Sequence, residues 1–508
     1  MERKDEWKQI MGTHPASYRF RRVVAGRLRN LTALGVGAIA LVDLAVANGS
    51  CLGNPPFWDD LLGLHNQALF LAKHGFRWSE LAASGLFWEG GSNVYRFGVL
   101  PWFYGLGYAA LPAGAVHLAG HLFNLLCLAA SAGVLFAALR RAGVGRSSAL
   151  FWCLAMLAEP VAAGQGAALG QEPPLLLAGA FAFFFAVRGR LLPCLAAVAA
   201  GALVKLTMVV WIPALLVCWF RNGRRLSTAV PAVALTAAMV LGVWIDSDGP
   251  AGGSGSFLWQ IRGNLILLLR DVPMQMILLV SAAVATLWRL RRGGLSGGAR
   301  EVVLYGWVVL AGFWGALLIY SVPLPRYTLL GVFPLFAVLA VVLRPRPAWA
   351  AAVLTAGILV SSGALPLPEL PGAHRRSGEF LERSRAYLDE IDWQRTLCRI
   401  LEREAFDRPI VAKWPLVQML TVPEFGYVTR PLPHVYSAGI LPRYAPVAGR
   451  VPPEPPAGAL RVFECNSFEF FSEFGPPLAP EPGDEVMLVV GPQDSPTVVY
   501  RRPEEEKR

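Results

Sequence analysis

Two adjacent carboxylates, Asp59 and Asp60, follow the string Asn54-Pro55-Pro56-Phe57-Trp58, just beyond the first long apolar stretch. Carboxylates near lipid are costly to hold ionised, and a protected pair can take a proton from a hydroxyl, which makes them candidates for a general base. Three more ionisable residues stand in or beside apolar sequence. Glu172 precedes Pro173-Pro174 and a run of leucines, Lys205 interrupts Val204-Lys205-Leu206-Thr207, and Arg326 follows Pro325. A lysine that deep in apolar sequence either snorkels to water or pairs with an anion. A helix opening at Glu172 would present a positive end that suits a phosphate. Plainer roles compete: helix capping for Asp59, Asp60 and Glu172, and interfacial anchoring for Arg326. His117 and His121, four residues apart, share a helix face and could hold a divalent metal ion, with His65 or the acidic pair as a third ligand. Asp43 falls within the first apolar run and carries no assigned role.

The elements that must position these residues are membrane helices. The chain has 508 residues, 55% hydrophobic and only 16% charged, with a mean hydropathy of +0.46. Stretches of about 20 apolar residues, each long enough to cross a bilayer, recur between residues 31 and 365. That excludes a soluble domain with one large core. The net charge of +11 sits in short arginine clusters between apolar runs rather than along a stripe, which argues against nucleic acid and for cytoplasmic loops. Clusters fall at residues 19–29, 140–146, 188–190, 221–225, 289–300 and 344–346. If all lie inside, the intervals between them must hold even numbers of crossings. Hairpins are then predicted over 147–187, with an outer tip at 164–172, and over 301–343, with its tip at 323–326. Another covers 226–288, with a long outer loop around 246–271. The interval 191–220 allows only about 15 residues per helix, roughly 22 Å each, with an apex near Lys205. A first helix over about 31–48 and a last one over about 348–363 bring the expectation to about eleven crossings.

This topology places residues 1–30 in the cytoplasm as a basic N-terminus, residues 31–365 in the membrane, and residues 366–508 outside. Residues 49–114 form a large first outer loop. Within it, 61–74 and 98–112 read as helices lying in the interface, the former with Leu61, Leu64, Ala68 and Leu71 on one side. Prolines cluster at 366–371, 452–456 and 476–482, where the apolar runs stop. A helix over 378–405 and strands at 409–413 and 486–490 predict a small α+β domain. Cys398 and Cys465 in that domain could form a disulfide. The outer ends now collect Asp59, Asp60, Glu172, Lys205 and Arg326, a convergence not used in threading the chain.

These landmarks resemble the GT-C class of polytopic glycosyltransferases, in particular the family of protein O-mannosyltransferases and the lipid A aminoarabinose transferase. The family's Asp-Glu pair in the first outer loop is matched by Trp58-Asp59-Asp60, with Asp60 in place of Glu. The amphipathic helix that follows ends at Lys73-His74-Gly75. An acidic-Pro-Leu-Leu stretch is matched by Glu172-Pro173-Pro174-Leu175-Leu176, a Gly-rich helix ending in Leu-Thr-Lys by Gly201 to Thr207, and a late Arg-Tyr by Arg326-Tyr327. The resemblance implies a polyprenyl-phosphate-linked sugar as donor, met within the membrane lipid, and an acceptor hydroxyl on a glycan, lipid or protein. It implies Asp59, or Asp60, as base with Glu172 assisting, and Lys205, Arg326 and Tyr327 binding the lipid phosphate. The setting it implies is a bacterial cytoplasmic membrane with the site on the outer face. A transporter or lipid flippase, and a lipid-linked glycan polymerase or ligase, are the rival readings.

Overall fold

In the computed structural model the described residues are 32–57, 60–77, 79–80, 98–221, 257–295, 297–319, 325–344, 387–413, 415–438, 455–464, 478–491 and 497–502. Apolar helices dominate to residue 344. They are α1 (Ala33–Asn48), α2 (Asn66–Lys73), α3 (Leu100–Ala110), α4 (Ala113–Arg141), α5 (Arg146–Leu157), α6 (Pro160–Gly166) and α7 (Glu172–Val187). They continue with α8 (Leu191–Val204), α9 (Ile212–Arg221), α10 (Phe257–Asp271), α11 (Pro273–Arg291), α12 (Gly297–Ile319) and α13 (Leu329–Val342). Among the described residues five helices are long and apolar enough to cross a membrane, or six if α5 and α6, bent by 68° at their junction, are one span. Three shorter apolar helices, over 172–187, 191–204 and 206–221, accompany them. The protein is an integral membrane protein. Its outward faces carry apolar stripes such as Leu118, Leu122 and Leu126 on α4, and Val280, Val284 and Leu287 on α11, spaced as a lipid-facing helix side requires. Asp43 is an exposed residue of α1.

The arginines mark one end of this bundle. α4 ends in Arg140 and Arg141, α5 begins at Arg146, α9 ends at Arg221, and α11 ends with Arg289 and Arg291. Glu172, Lys205 and Arg326 occur at the opposite helix ends, where the predicted hairpin tips lie. The 191–220 interval is resolved as expected: α8 stops at Val204, Lys205 is extended, and a 3-10 turn over Leu206–Trp211 leads into α9. The 246–271 stretch differs. Residues 257–271 form α10 rather than open loop. The expected helix over 348–363 lies outside the described residues.

The first outer loop departs from the interfacial picture. A π-helical turn, Asp60–His65, runs into α2, and Leu61, Leu64, His65, Asn66, Gln67, Ala68, Leu69, Phe70 and Leu71 are all buried. The segment is covered on every side, so its amphipathic pattern serves packing rather than a water–lipid boundary. α3, the other helix of this loop, exposes Trp102, Phe103 and Leu106.

What covers the loop is the C-terminal domain: α14 (Tyr387–Glu404), β1 (Ile410–Ala412), α15 (Leu416–Thr421), β2 (Val435–Ser437), β3 (Leu460–Glu464), β4 (Glu485–Val490) and β5 (Thr497–Arg501). The sheet order is β2-β1-β3-β5-β4. β1 is parallel to both neighbours, with Ile410 opposite Val435 and Leu460, while β3, β5 and β4 are antiparallel. α15 supplies the crossover that a parallel β1–β2 pair needs. Phe57, Leu61 and Leu69 of the first loop share one apolar cluster with Leu397, Leu401, Ile410, Met419, Leu420 and Phe425 of this domain. Cys398 is buried in that cluster. Cys465 lies outside the described residues, so the expected disulfide does too.

Candidate active site

Glu172 opens α7, with Pro173 and Pro174 in the first turn, where a missing N–H costs nothing and φ is already helical. The lead-in is held from α4: Asn124 Nδ2 donates to the Ala168 and Gly170 carbonyls at 2.9 and 3.1 Å. Lys205 sits where α8 breaks. Its amide still donates to the Gly201 carbonyl at 2.8 Å, and the chain then folds Met208 back over Gly201, where a Cβ would lie 2.7 Å from Met208 Cγ. Only glycine leaves room for that return. Arg326 lies in the 3-10 turn Pro325–Thr328, closed by Thr328 Oγ1 donating to the Pro325 carbonyl at 2.7 Å.

These turns bring four of the sequence candidates together. Lys205 Nζ donates to Glu172 Oε1 at 3.1 Å, and Arg326 Nε stands 3.8 Å from the same oxygen. The Tyr327 ring lies 4.4 Å from Lys205 Nζ and 5.4 Å from Arg326 Cζ, within cation–π range. All three charged side chains are under 10% exposed. Two cations thus face the Glu172 carboxylate in apolar surroundings, where ionised groups are held only beside partners of opposite charge. Glu172 Oε2 has no hydrogen-bond partner among the described residues.

The acidic pair is only partly in view. Asp59 lies outside the described residues, and of Asp60 the structure describes the backbone, at the start of the π-helical turn. Their flanks are firmly placed. The Asn54 carbonyl accepts from His121 Nε2 at 3.0 Å, and the Pro56 carbonyl accepts from Tyr427 Oη at 3.1 Å. Phe57 and Leu61 are buried in the cluster that also contains Ala168, four residues before Glu172. The lead-ins to the acidic pair and to Glu172 therefore contribute to one apolar cluster. Near Lys205, the Val99 amide donates to the Leu203 carbonyl at 2.8 Å.

The histidines form a hydrogen-bonded group. Tyr108 Oη bridges His65 Nδ1 at 2.7 Å and His117 Nε2 at 3.2 Å. His121 must carry its proton on Nε2, because a carbonyl can only accept. Burial, reinforced by His117 and His121, holds the His65 imidazole well below its ordinary pKa, and burial pushes the Tyr108 phenol well above its own. One nitrogen of each ring is engaged by Tyr108 or Asn54, and no group of three metal-type ligands gathers among the described residues. The HxxxH pair thus makes hydrogen bonds to loop residues, while the acidic side chains that could complete a metal site with it lie outside the described residues.

The sequence reading missed several buried polar residues. Glu159 caps α6 by accepting from the Ala162 amide at 2.9 Å and from Gln275 Nε2 at 3.1 Å. The acidic-Pro pattern that flagged Glu172 recurs at Glu159-Pro160 and could have found it. Tyr108 and Tyr427 carry no such local signal.

No family model matches the chain, and no curated protein matches it. Among solved structures it is similar to ArnT from Cupriavidus metallidurans bound to undecaprenyl phosphate, at 17% identity and a TM-score of 0.49, over 91% of this chain and 96% of that one. The same protein in the apo state matches at 18% identity and a TM-score of 0.47, over 91% and 97% of the two chains.

Proposed function

We propose that this protein is a glycosyltransferase that moves a sugar from a polyprenyl-phosphate donor to an acceptor hydroxyl at the outer face of a bacterial cytoplasmic membrane. The observation that carries the reading is the buried Glu172–Lys205–Arg326–Tyr327 cluster, whose two cations at a helix-end layer suit a lipid phosphate. The donor's polyprenyl tail would lie among the apolar helices, which accounts for a phosphate site at that depth. In the reaction the acceptor oxygen attacks the anomeric carbon as Asp59 takes its proton. The bond from that carbon to the phosphate oxygen breaks, and the electron pair leaves with the lipid phosphate. Lys205 and Arg326 stabilise the growing negative charge, Tyr327 holds the two cations, and Asp60 or Glu172 orients the acceptor. A single displacement inverts the sugar configuration. The N-terminus is then cytoplasmic and the C-terminal domain extracytoplasmic, in keeping with arginines at the opposite helix ends.

The test is incubation of purified protein with a labelled polyprenyl-phosphate sugar and a panel of glycan, lipid and peptide acceptors. Release of lipid phosphate with labelled acceptor is expected. Asp59→Asn should lower turnover by at least 10²-fold, as loss of a general base does, while donor binding is retained. Movement of intact donor across proteoliposomes without cleavage would instead favour a flippase, and full turnover by Asp59→Asn/Asp60→Asn would sink the base.

A further inference from the structure

We infer that the C-terminal domain builds the active site: its turn over residues 423–430 is a clasp that fixes the backbone entering the acidic pair, and Tyr427 is its positioning residue. The clasp is anchored within its own domain. Glu402 of α14 accepts from the Thr429 and Arg430 amides at 2.9 Å each and from the Thr429 hydroxyl. The Leu432 amide donates to the Leu420 carbonyl at 3.0 Å, and Arg430 Cζ sits 3.6 Å from the Phe406 ring centroid.

From this base the turn reaches the first outer loop at three points. Tyr427, wholly buried, donates its hydroxyl to the Pro56 carbonyl at 3.1 Å. Glu424 pairs with Lys73 at the end of α2 at 2.8 Å. Gly426, at φ +83, lies against Pro55 and His117, and a Cβ there would stand 3.6 Å from Pro55 Cβ and 3.7 Å from His117 Cε1.

The Pro55-Pro56 pair supplies no amide hydrogens of its own. That segment must therefore be held through its carbonyls, and the two that are engaged, Asn54 and Pro56, are taken by His121 and Tyr427. Phe57 before the acidic pair and Leu61 after it are buried in the cluster shared with the C-terminal domain, so both flanking residues are held by that domain. A general base displaced by about 1 Å loses rate by up to 10²-fold without losing substrate, so removal of the Tyr427 hydroxyl should be felt in kcat rather than in donor affinity.

This inference rests on the reading of Asp59 or Asp60 as the base, and its test separates the two. Full-length Tyr427→Phe, which keeps the ring in its pocket, is compared with wild type by steady-state transfer and by amide exchange over residues 51–61. The expectation is a fall of about tenfold in kcat, a donor KM within about twofold, and faster exchange at Asn54 and Phe57. Lys73→Glu, a partly exposed change that leaves the core intact, should lower kcat by about two- to threefold, and the swap Lys73→Glu/Glu424→Lys should restore it. Faster exchange with unchanged kcat overturns the positioning role, and unchanged exchange overturns the clasp itself. Absence of transfer by wild type would overturn the proposed reaction, while the exchange data still decide whether Tyr427 holds the loop.

Discussion

At the residue scale the chemistry turns on how three buried charges share one oxygen. Glu172 Oε1 is approached by Lys205 at 3.1 Å and Arg326 at 3.8 Å, so Lys205 makes the closer contact and carries the larger part of the interaction. Replacing Lys205 with Met removes the cation that makes this closer contact. A charge-assisted hydrogen bond is worth about 1.5–3 kcal/mol, so lipid-phosphate binding should weaken about ten- to hundredfold. Glu172→Gln has the opposite sign. It leaves two cations without their carboxylate and should tighten lipid-phosphate binding while slowing its release. Calorimetric titration with a short-chain polyprenyl phosphate checks both, and equal effects in the same direction would show that the cluster is a structural ion pair. Glu172, Lys205 and Arg326 were legible because a charge in apolar sequence has so few cheap explanations. The hydrogen-bond partners of the histidines were not legible because they are remote: His65 and Tyr108 are 43 positions apart, and His121 and Asn54 are 67 apart. Helix periodicity puts His117 and His121 on one side of α4 but says nothing of what faces them there.

At the element scale the helix ends were legible where arginines mark them, as at Arg140, Arg141, Arg146, Arg221, Arg289 and Arg291, because arginines are costly to leave in lipid. The interruption at Lys205 followed from the spacing of the clusters, since 30 residues cannot span twice without a tight apex. The burial of Leu61 and of residues 64–71 was not legible. An amphipathic pattern reports a covered side, and only the fold reveals that a second domain covers the other. One junction ties the loop to the lysine. Gly98, at φ +54, brings Val99 onto the end of α8, and a Cβ at Gly98 would stand 1.9 Å from the Leu203 carbonyl oxygen. Gly98→Ala thus combines backbone strain with a collision against main chain that cannot rotate away. It should cost about 3 kcal/mol or more and shift Lys205, two residues beyond Leu203. Thermal unfolding should report the loss, and a Gly98→Ala protein with unchanged stability would mean that the loop does not seat there.

At the scale of the whole molecule the C-terminal domain and the membrane bundle meet through the first outer loop, and the link has an acid-sensitive part. Although partial burial opposes it, hydrogen bonds from the Thr429 hydroxyl and the Thr429 and Arg430 amides hold the Glu402 carboxyl below its ordinary value of 4.5. A depressed carboxylate contributes stability that is complete above the unfolded-state pKa and is lost as pH falls through the folded-state value. Glu402→Gln, which cannot titrate, should therefore unfold at a lower temperature than wild type at pH 7. The gap should stay level down to about pH 5.5 and narrow below about 4.5, as wild-type Glu402 becomes protonated. Because Glu402 anchors the turn that carries Tyr427, the same acid range should speed amide exchange at Asn54 and Phe57 in wild type but not further in Glu402→Gln. A stability gap that persists unchanged to pH 3 would show that the Glu402 charge contributes nothing to the join between the domains.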